Sequence, residues 1–344
     1  MKTVNILGAG LIGQERMKAV ARLEARGLPV RIGAVYDPFQ PRLQECAVKY
    51  GFHPEADLER FCSQPADLIV IACPHDSAVE YTCSIATHGR SVLLEKPLGR
   101  NLAEAEEIAA AFAASGGKLF VGLNYRFMRG IVALIGDFRA GVFGTPISLR
   151  LQMGHGGRPG DEQTWKLDPV RCGGGAVLDP GIHLFDLVTL MLGDNLRLEG
   201  RHAWRGFWKT GIEEDVHLLF RAGSTAVSME VSVVRWRSQF EIFALGTDGY
   251  GHVTGRGRSY GPQVYRRGKR WGWQTAASQL ASEEEVVVDD CEDSFAEELA
   301  ACLGFDPTPA VSPAQLRDGL AVMRVYEMVQ AELKGLQDPN QSPF

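Results

Sequence analysis

Gly8-Ala9-Gly10-Leu11-Ile12-Gly13 is a G-x-G-x-x-G run, and its residue types suit the capture of a dinucleotide pyrophosphate. Gly8 allows a tight turn, Gly10 lets the backbone approach the phosphates, and Gly13 permits close packing of the next segment. The free N–H groups of a helix starting at Leu11 and Ile12 would meet the phosphate charge. Asp37 follows the next apolar run, where it can accept hydrogen bonds from a ribose hydroxyl pair and repel a 2′-phosphate. NAD is therefore favoured over NADP, although nearby Arg42 could still serve a phosphate. The alternative is that the glycines serve only a turn.

The elements around this run have the required order. Val4 to Leu7 reads as a strand, and Met17, Val20, Ala21 and Leu23 recur at helical spacing after the glycines. Val30 to Tyr36 is a second strand, which completes a β-α-β unit. Leu68 to Ala72 and Ser91 to Leu94 are continuous apolar runs, the pattern of parallel strands buried on both faces. Alternation continues through the Ala-rich stretch from Leu102 to Ala114 and the strand from Leu119 to Leu123. The spacing predicts a doubly wound α/β dinucleotide-binding Rossmann domain over residues 1–123. Beyond it, runs at Ile147 to Met153, Val216 to Phe220, Thr225 to Val234, Phe240 to Leu245 and Val286 to Val288 predict an open, mainly antiparallel sheet. Helices are expected from Gly181 to Leu192 and from Pro313 to Leu333. Residues 124–344 are thus expected to be an α+β substrate-binding and oligomerisation domain, with Asp338 to Phe344 frayed.

Composition narrows the function classes. At 344 residues, with 45% hydrophobic and 23% charged residues, the chain can build two substantial cores and is not expected to be disordered. A net charge of −6 gives no general attraction to nucleic acid or an anionic membrane. The seven cysteines are odd in number and scattered, which argues against a disulfide framework or a zinc knuckle. No metal site is expected, because the histidines lack ligand spacing. With only Met1-Lys2-Thr3 before the first apolar run, and no run long enough to span a bilayer, a cytoplasmic protein is expected.

Further segments extend the pattern: Cys73-Pro74 after the fourth strand, Glu95-Lys96-Pro97 after the fifth, Asn124-Tyr125-Arg126-Phe127, and a long block from Gly173 through Asp179-Pro180-Gly181-Ile182-His183 to Asp186. In this order, with the glycine run at the start, they resemble the Gfo/Idh/MocA family of sugar and cyclitol oxidoreductases. Many relatives carry a histidine where this chain has Ala78, whereas here His75 comes early. The resemblance implies that Lys96, Asp179 and His183 form the catalytic group beside the nicotinamide, with Pro74, Glu95 and Lys96 on the cofactor side. Removing a hydride from carbon while a proton leaves oxygen needs a base near that hydroxyl, and His183 suits this near neutral pH. A cationic Lys96 can stabilise charge developing on the same oxygen. Asp179, four residues before His183, would share its helical face and orient substrate or imidazole. Simpler roles compete with these. Asp179 before Pro180 is a good helix N-cap, His183 among apolar neighbours resembles a satisfied core histidine, and Lys96 alone reads as a strand-end charge. Asp186, three residues after His183, could support it from behind.

Substrate contacts are expected from Tyr125, Arg126, His155, Arg158 and Trp165, by stacking on a sugar face and gripping its hydroxyls. The function expected is NAD-dependent hydride transfer at a hydroxyl or keto carbon of a sugar, polyol, cyclitol or nucleotide-sugar. Two alternatives come with the resemblance: an NAD-using glycosidase without net redox, and a non-enzymatic sugar- or NAD-sensing regulator. The expected partners are a small carbohydrate and further copies of the chain, in a homodimer or homotetramer through the C-terminal sheet. One segment stands apart. Arg256, Arg258, Arg266, Arg267, Lys269 and Arg270 occur without an acid among them, interleaved with Tyr260 and Tyr265 and followed by Trp271 and Trp273. Acids from Glu283 to Asp293 follow, so pairing within or between subunits, an anionic substrate and a nucleic-acid face all remain open.

Overall fold

The computed structural model describes residues 1–269, 283–291, 293–305 and 310–335. The chain forms two compact units: Met1–Asn124 with Asp293–Met323, and Tyr125–Glu292 with Arg324–Phe344. Arg270, Trp271, Trp273, Glu292 and the stretch expected to fray lie outside the described residues.

In the first unit β1 (Lys2–Leu7), α1 (Leu11–Ala25), β2 (Val30–Tyr36), α2 (Gln40–Tyr50), β3 (His53–Glu55), α3 (Leu58–Ser63), β4 (Leu68–Ile71), α4 (His75–Ala86), β5 (Ser91–Glu95), α5 (Leu102–Ser115) and β6 (Lys118–Gly122) alternate along the chain. The strands lie in the order β6, β5, β4, β1, β2, β3, all parallel to their neighbours. All four residues of β4 are buried, as its unbroken apolar sequence requires of a central parallel strand. The chain order reverses between β1 and β4, and that is where open α/β sheets bind ligands, outside the carboxyl ends of their strands.

The sequence reading grouped everything after residue 123 into the second domain, but residues 293–323 lie with the first unit. The helix Ser294–Cys302 buries Ala296, Leu299 and Ala300 in one core with Met17, Val20 and Leu23 of α1. Arg16 of α1 is fully buried and needs counter-charges, and it has Glu95 and Glu298 each at 2.6 Å. The strand Ala314–Gln315 then adds antiparallel to β6. Single apolar residues at helical spacing do not reveal which unit they will cover.

The second unit is built on eight strands: β7 (Pro146–Gly154), β8 (Arg197–Trp204), β9 (Asp215–Ala222), β10 (Thr225–Ser232), β11 (Gln239–Gly246), β12 (Gly249–Thr254), β13 (Gln263–Lys269) and β14 (Glu283–Asp289). Their spatial order is β14, β13, β12, β11, β7, β10, β9, β8, antiparallel except for the β7/β10 pair. The helix α6 (Arg129–Arg139) lies against β12, β13 and β14. After the single turn α7 (Pro169–Cys172) comes α8 (Ile182–Leu192), whose first seven residues are all buried. Phe185 of α8 meets Phe220 of β9 edge to face. The expected strands are present, and β8, β12 and β13 are additional. These three are rich in polar residues or glycine, so only their neighbours make them strands.

Two arginines of the basic run are accounted for. Arg266 and Arg267 on β13 pair with Glu285 and Glu284 on β14 at 2.7 and 3.0 Å, and Arg267 also reaches Asp137 at 3.0 Å. Cross-strand pairing within one subunit neutralises these two arginines.

Candidate active site

In the first unit the glycine turn, Asp37, Pro74 and Lys96 follow β1, β2, β4 and β5, which are neighbours in one parallel sheet, so all four lie along its carboxyl edge. Gly8 has φ +99°, and a Cβ there would stand 2.2 Å from the Ala72 carbonyl oxygen. A Cβ on Gly13 would stand 1.8 Å from the Gly8 carbonyl oxygen, whereas one on Gly10 would meet nothing within 4 Å. The turn is thus closed on the protein side and open on the other, as a pyrophosphate cradle must be. Leu11, at the start of α1, is 63% exposed beside that opening.

Asp37 is buried and tightly held. Its Oδ2 accepts the Ala9 N–H at 2.7 Å, its Oδ1 accepts the Phe39 N–H at 2.8 Å, and Arg42 pairs with it at 2.9 Å. The acid therefore braces the glycine turn as well as standing where a ribose is expected, and its charge is matched by a cation. Lys96 is half-buried, and its neighbour Glu95 is fixed by Arg16. The Lys96–Pro97 and Asp179–Pro180 bonds are both cis. Cys73 is neutral because burial pushes its thiol up to about 12, and His75 is buried as the first residue of α4.

The second unit collects a different set. The His183 and Tyr125 rings stack face to face, 3.8 Å apart and 2° from parallel. Burial pushes the Tyr125 hydroxyl far up, so it remains a neutral donor. Lys166 Nζ is 3.9 Å from Asp179 Oδ2. Burial holds His155 below the usual imidazole range, aided by Arg256 and Lys166 and opposed by Asp179, and its Nδ1 accepts the Gly157 N–H at 3.1 Å.

Some expectations change here. The helix carrying His183 begins at Ile182 with Gly181 as its N-cap, so Asp179 neither caps it nor shares a helical face with His183. Asp179 sits instead in the turn that leads into the helix. Arg126, expected to grip substrate, is 2% exposed and bonded at 2.8 Å to Asp186, which is also fully buried. That pair fastens the start of the unit to α8, so Asp186 serves Arg126. Arg158 is exposed, with its backbone N–H on Asp161, and Trp165 is half-buried.

Several contributors carried no motif. Glu213 is buried; its Oε1 accepts the Gly175 N–H at 3.0 Å and an N–H of Gln330 at 2.9 Å, and its carbonyl accepts the Ala176 N–H. The Tyr326 hydroxyl donates to the Gly173 carbonyl. Together they pin the glycine-rich loop that presents Asp179. Arg256 and Tyr260 also join the His183 side of this unit, with Arg256 Cζ 5.3 Å from the Tyr125 ring centroid. Among the described residues no group of three or more His, Cys, Asp or Glu is placed to hold a metal ion, and no helix is long and apolar enough to cross a membrane.

Comparison with known proteins follows the same division. The profile of an oxidoreductase family with an NAD-binding Rossmann fold, GFO/IDH/MocA, matches residues 2–123, and that family's C-terminal domain profile matches residues 137–251. Myo-inositol 2-dehydrogenase of Thermotoga maritima is 26% identical over 195 residues, 56% of this chain and 55% of that protein, so the match spans about half of the relative. Two solved structures share the fold. A putative NADPH-dependent oxidoreductase from Desulfitobacterium hafniense aligns with a TM-score of 0.80 at 14% identity, covering 97% of this chain and 96% of that one. A levoglucosan dehydrogenase complexed with NADH aligns with a TM-score of 0.79 at 17% identity, covering 97% of each chain. Matched in both of its units, this chain belongs to the GFO/IDH/MocA family of oxidoreductases.

Proposed function

We propose that the chain is an NAD-dependent oxidoreductase acting on a hydroxyl or keto carbon of a sugar, polyol or cyclitol. The observation that carries this reading is the carboxyl edge of the parallel sheet, where a dinucleotide cradle after β1 and the cation Lys96 after β5 stand on either side of β4. The relatives act in the same sense, since the Thermotoga protein is named for oxidising a cyclitol and the levoglucosan enzyme for oxidising an anhydrosugar.

Gly8, Gly10 and Gly13 would hold the pyrophosphate and Asp37 the ribose. A bound nicotinamide would supply hydride transfer to or from carbon. The rest is the work of this chain. His183, held in place by the stacked Tyr125 ring, takes the hydroxyl proton as the carbonyl forms. On the cofactor edge of the first unit, Lys96 is the cation suited to stabilise negative charge developing on an oxygen. Asp179, in its pinned loop, accepts from the substrate and keeps Lys166 close. Asp37 favours NAD, and Arg42 leaves NADP some access. We further propose a homo-oligomer formed through the open face of the eight-stranded sheet, where Ile147 and Leu219 are 46% and 44% exposed.

The test is absorbance at the reduced-nicotinamide band with free sugars, cyclitols, sugar acids and nucleotide-sugars, using both NAD and NADP. Sustained reduction with one substrate class is expected. A transient signal with glycoside cleavage, or cofactor binding without turnover of any class, would overturn the reading.

A further inference from the structure

Three described arginines of the basic run differ in what meets them. Arg266 and Arg267 are matched by acids of β14 and α6. Arg256 is not: among the described residues no carboxylate lies within ion-pair distance of it, and its buried Nε has no hydrogen-bond partner. The Tyr260 hydroxyl beside it is also buried and without a partner among the described residues. Arg256 lies against two ring faces, its Cζ 4.0 Å from the Tyr260 centroid and 5.3 Å from that of Tyr125. Tyr125 is the ring stacked on His183.

The backbone around this cation is rigidly shaped. Gly255 and Gly257 have φ of +72° and +79°, and a Cβ on either would stand 2.1 Å from a carbonyl oxygen, of Pro262 and Asp290 respectively. The Gly257 N–H closes the loop onto the Gly261 carbonyl at 2.7 Å. A Gly-Arg-Gly turn that admits no other residue on either side fixes where the arginine side chain leaves the backbone. Aromatic faces steady a guanidinium but do not neutralise it, and its N–H donors remain for oxygen acceptors. Its planar fork fits a carboxylate or a phosphate in bidentate fashion. The side chain is half-buried, so part of it is open to an incoming ligand.

We propose that Arg256 is the specificity-determining cation of the Asp179 and His183 site, and that the substrate carries an oxyanion, a carboxylate or a phosphate, which this guanidinium binds. The inference rests on the reading of those residues as a substrate site. Lys166, 3.9 Å from Asp179, adds a second cation to the same region.

Isothermal titration of the full chain with sugar acids and sugar phosphates, each against its neutral parent sugar, tests this without relying on turnover. At least one charged compound is expected to bind ten times or more tightly than its parent, and whether it is an acid or a phosphate names the oxyanion. Arg256→Met should erase the difference, Arg256→Lys should retain part of it, and Arg266→Met should leave it intact. Equal binding of charged and neutral partners, no binding by any charged compound, or discrimination that survives Arg256→Met would overturn the proposal. Selective anion binding lost in Arg256→Met, without reduction of either nicotinamide, would sink the oxidoreductase reading and leave the anion site standing. Oxidation of neutral sugars with no preference for charge would do the reverse.

Discussion

Lys96 and Asp37 stand on the same sheet edge but are held differently, so their variants should separate chemistry from cofactor binding. If Lys96 has the role proposed for it, Lys96→Ala should lower turnover by about 10²- to 10⁴-fold. NAD affinity measured by fluorescence titration should stay nearly unchanged, and a parallel loss would contradict the role assigned to Lys96. Arg42 neutralises Asp37 at 2.9 Å, so Arg42→Ala should sharpen the preference for NAD by lowering kcat/KM with NADP. Unchanged ratios for the two cofactors would remove that argument. His155 has a pH signature. Burial lowers its proton affinity in the folded chain, whereas unfolded it protonates near pH 6.5, a value of about 6.5 being usual for histidine. The unfolded chain therefore binds more protons in that window, and stability falls as the pH drops through it. In His155→Asn the fall in Tm between neutral pH and about pH 5.5 should be shallower than in the parent.

At the scale of elements, two buried carboxylates join segments far apart in sequence. Glu298 shares Arg16 with Glu95 and so ties the helix Ser294–Cys302 to the dinucleotide helix α1 and the end of β5. Removing one partner of a buried ion pair leaves an uncompensated charge, so Glu298→Ala should cost about 3–5 kcal/mol in denaturant unfolding. A change within error would show that Glu95 alone satisfies Arg16. Glu213 plays the corresponding part in the second unit, where burial raises its proton affinity and its side chain holds Gly175 and Gln330. Glu213→Gln keeps an acceptor for Gly175 and should preserve both Tm and turnover. Glu213→Ala should lose about 1–3 kcal/mol of stability and lower kcat while NAD binding persists.

For the whole molecule, the face of the eight-stranded sheet that carries Ile147 and Leu219 sets the expectation of self-association. Light scattering should return a dimer or tetramer mass, and a charged substitution such as Ile147→Glu should shift it towards monomer. A monomeric parent would end that expectation. The basic stretch teaches caution at this scale, because in sequence it resembles a nucleic-acid face, yet β13 spends Arg266 and Arg267 on the acids of β14 and α6. Arg256, set in the loop before β13, has no carboxylate within ion-pair distance among the described residues.

By itself the sequence determined the dinucleotide half of the protein. Glycine spacing, an acid after the second strand and unbroken apolar runs are local signals, and parallel strands buried on both faces leave few alternatives. It also singled out Lys96, Asp179 and His183, through blocks whose order is characteristic of a family. The tertiary structure alone decided that residues 293–323 return to the first unit, that Arg126 belongs to Asp186, that Asp179 lies ahead of its helix, that Glu213 holds the loop before Asp179, and that Arg256 lies against the Tyr125 ring. These depend on which buried charge meets which, and a partner chosen across 60 or 282 positions of chain leaves no mark in local spacing.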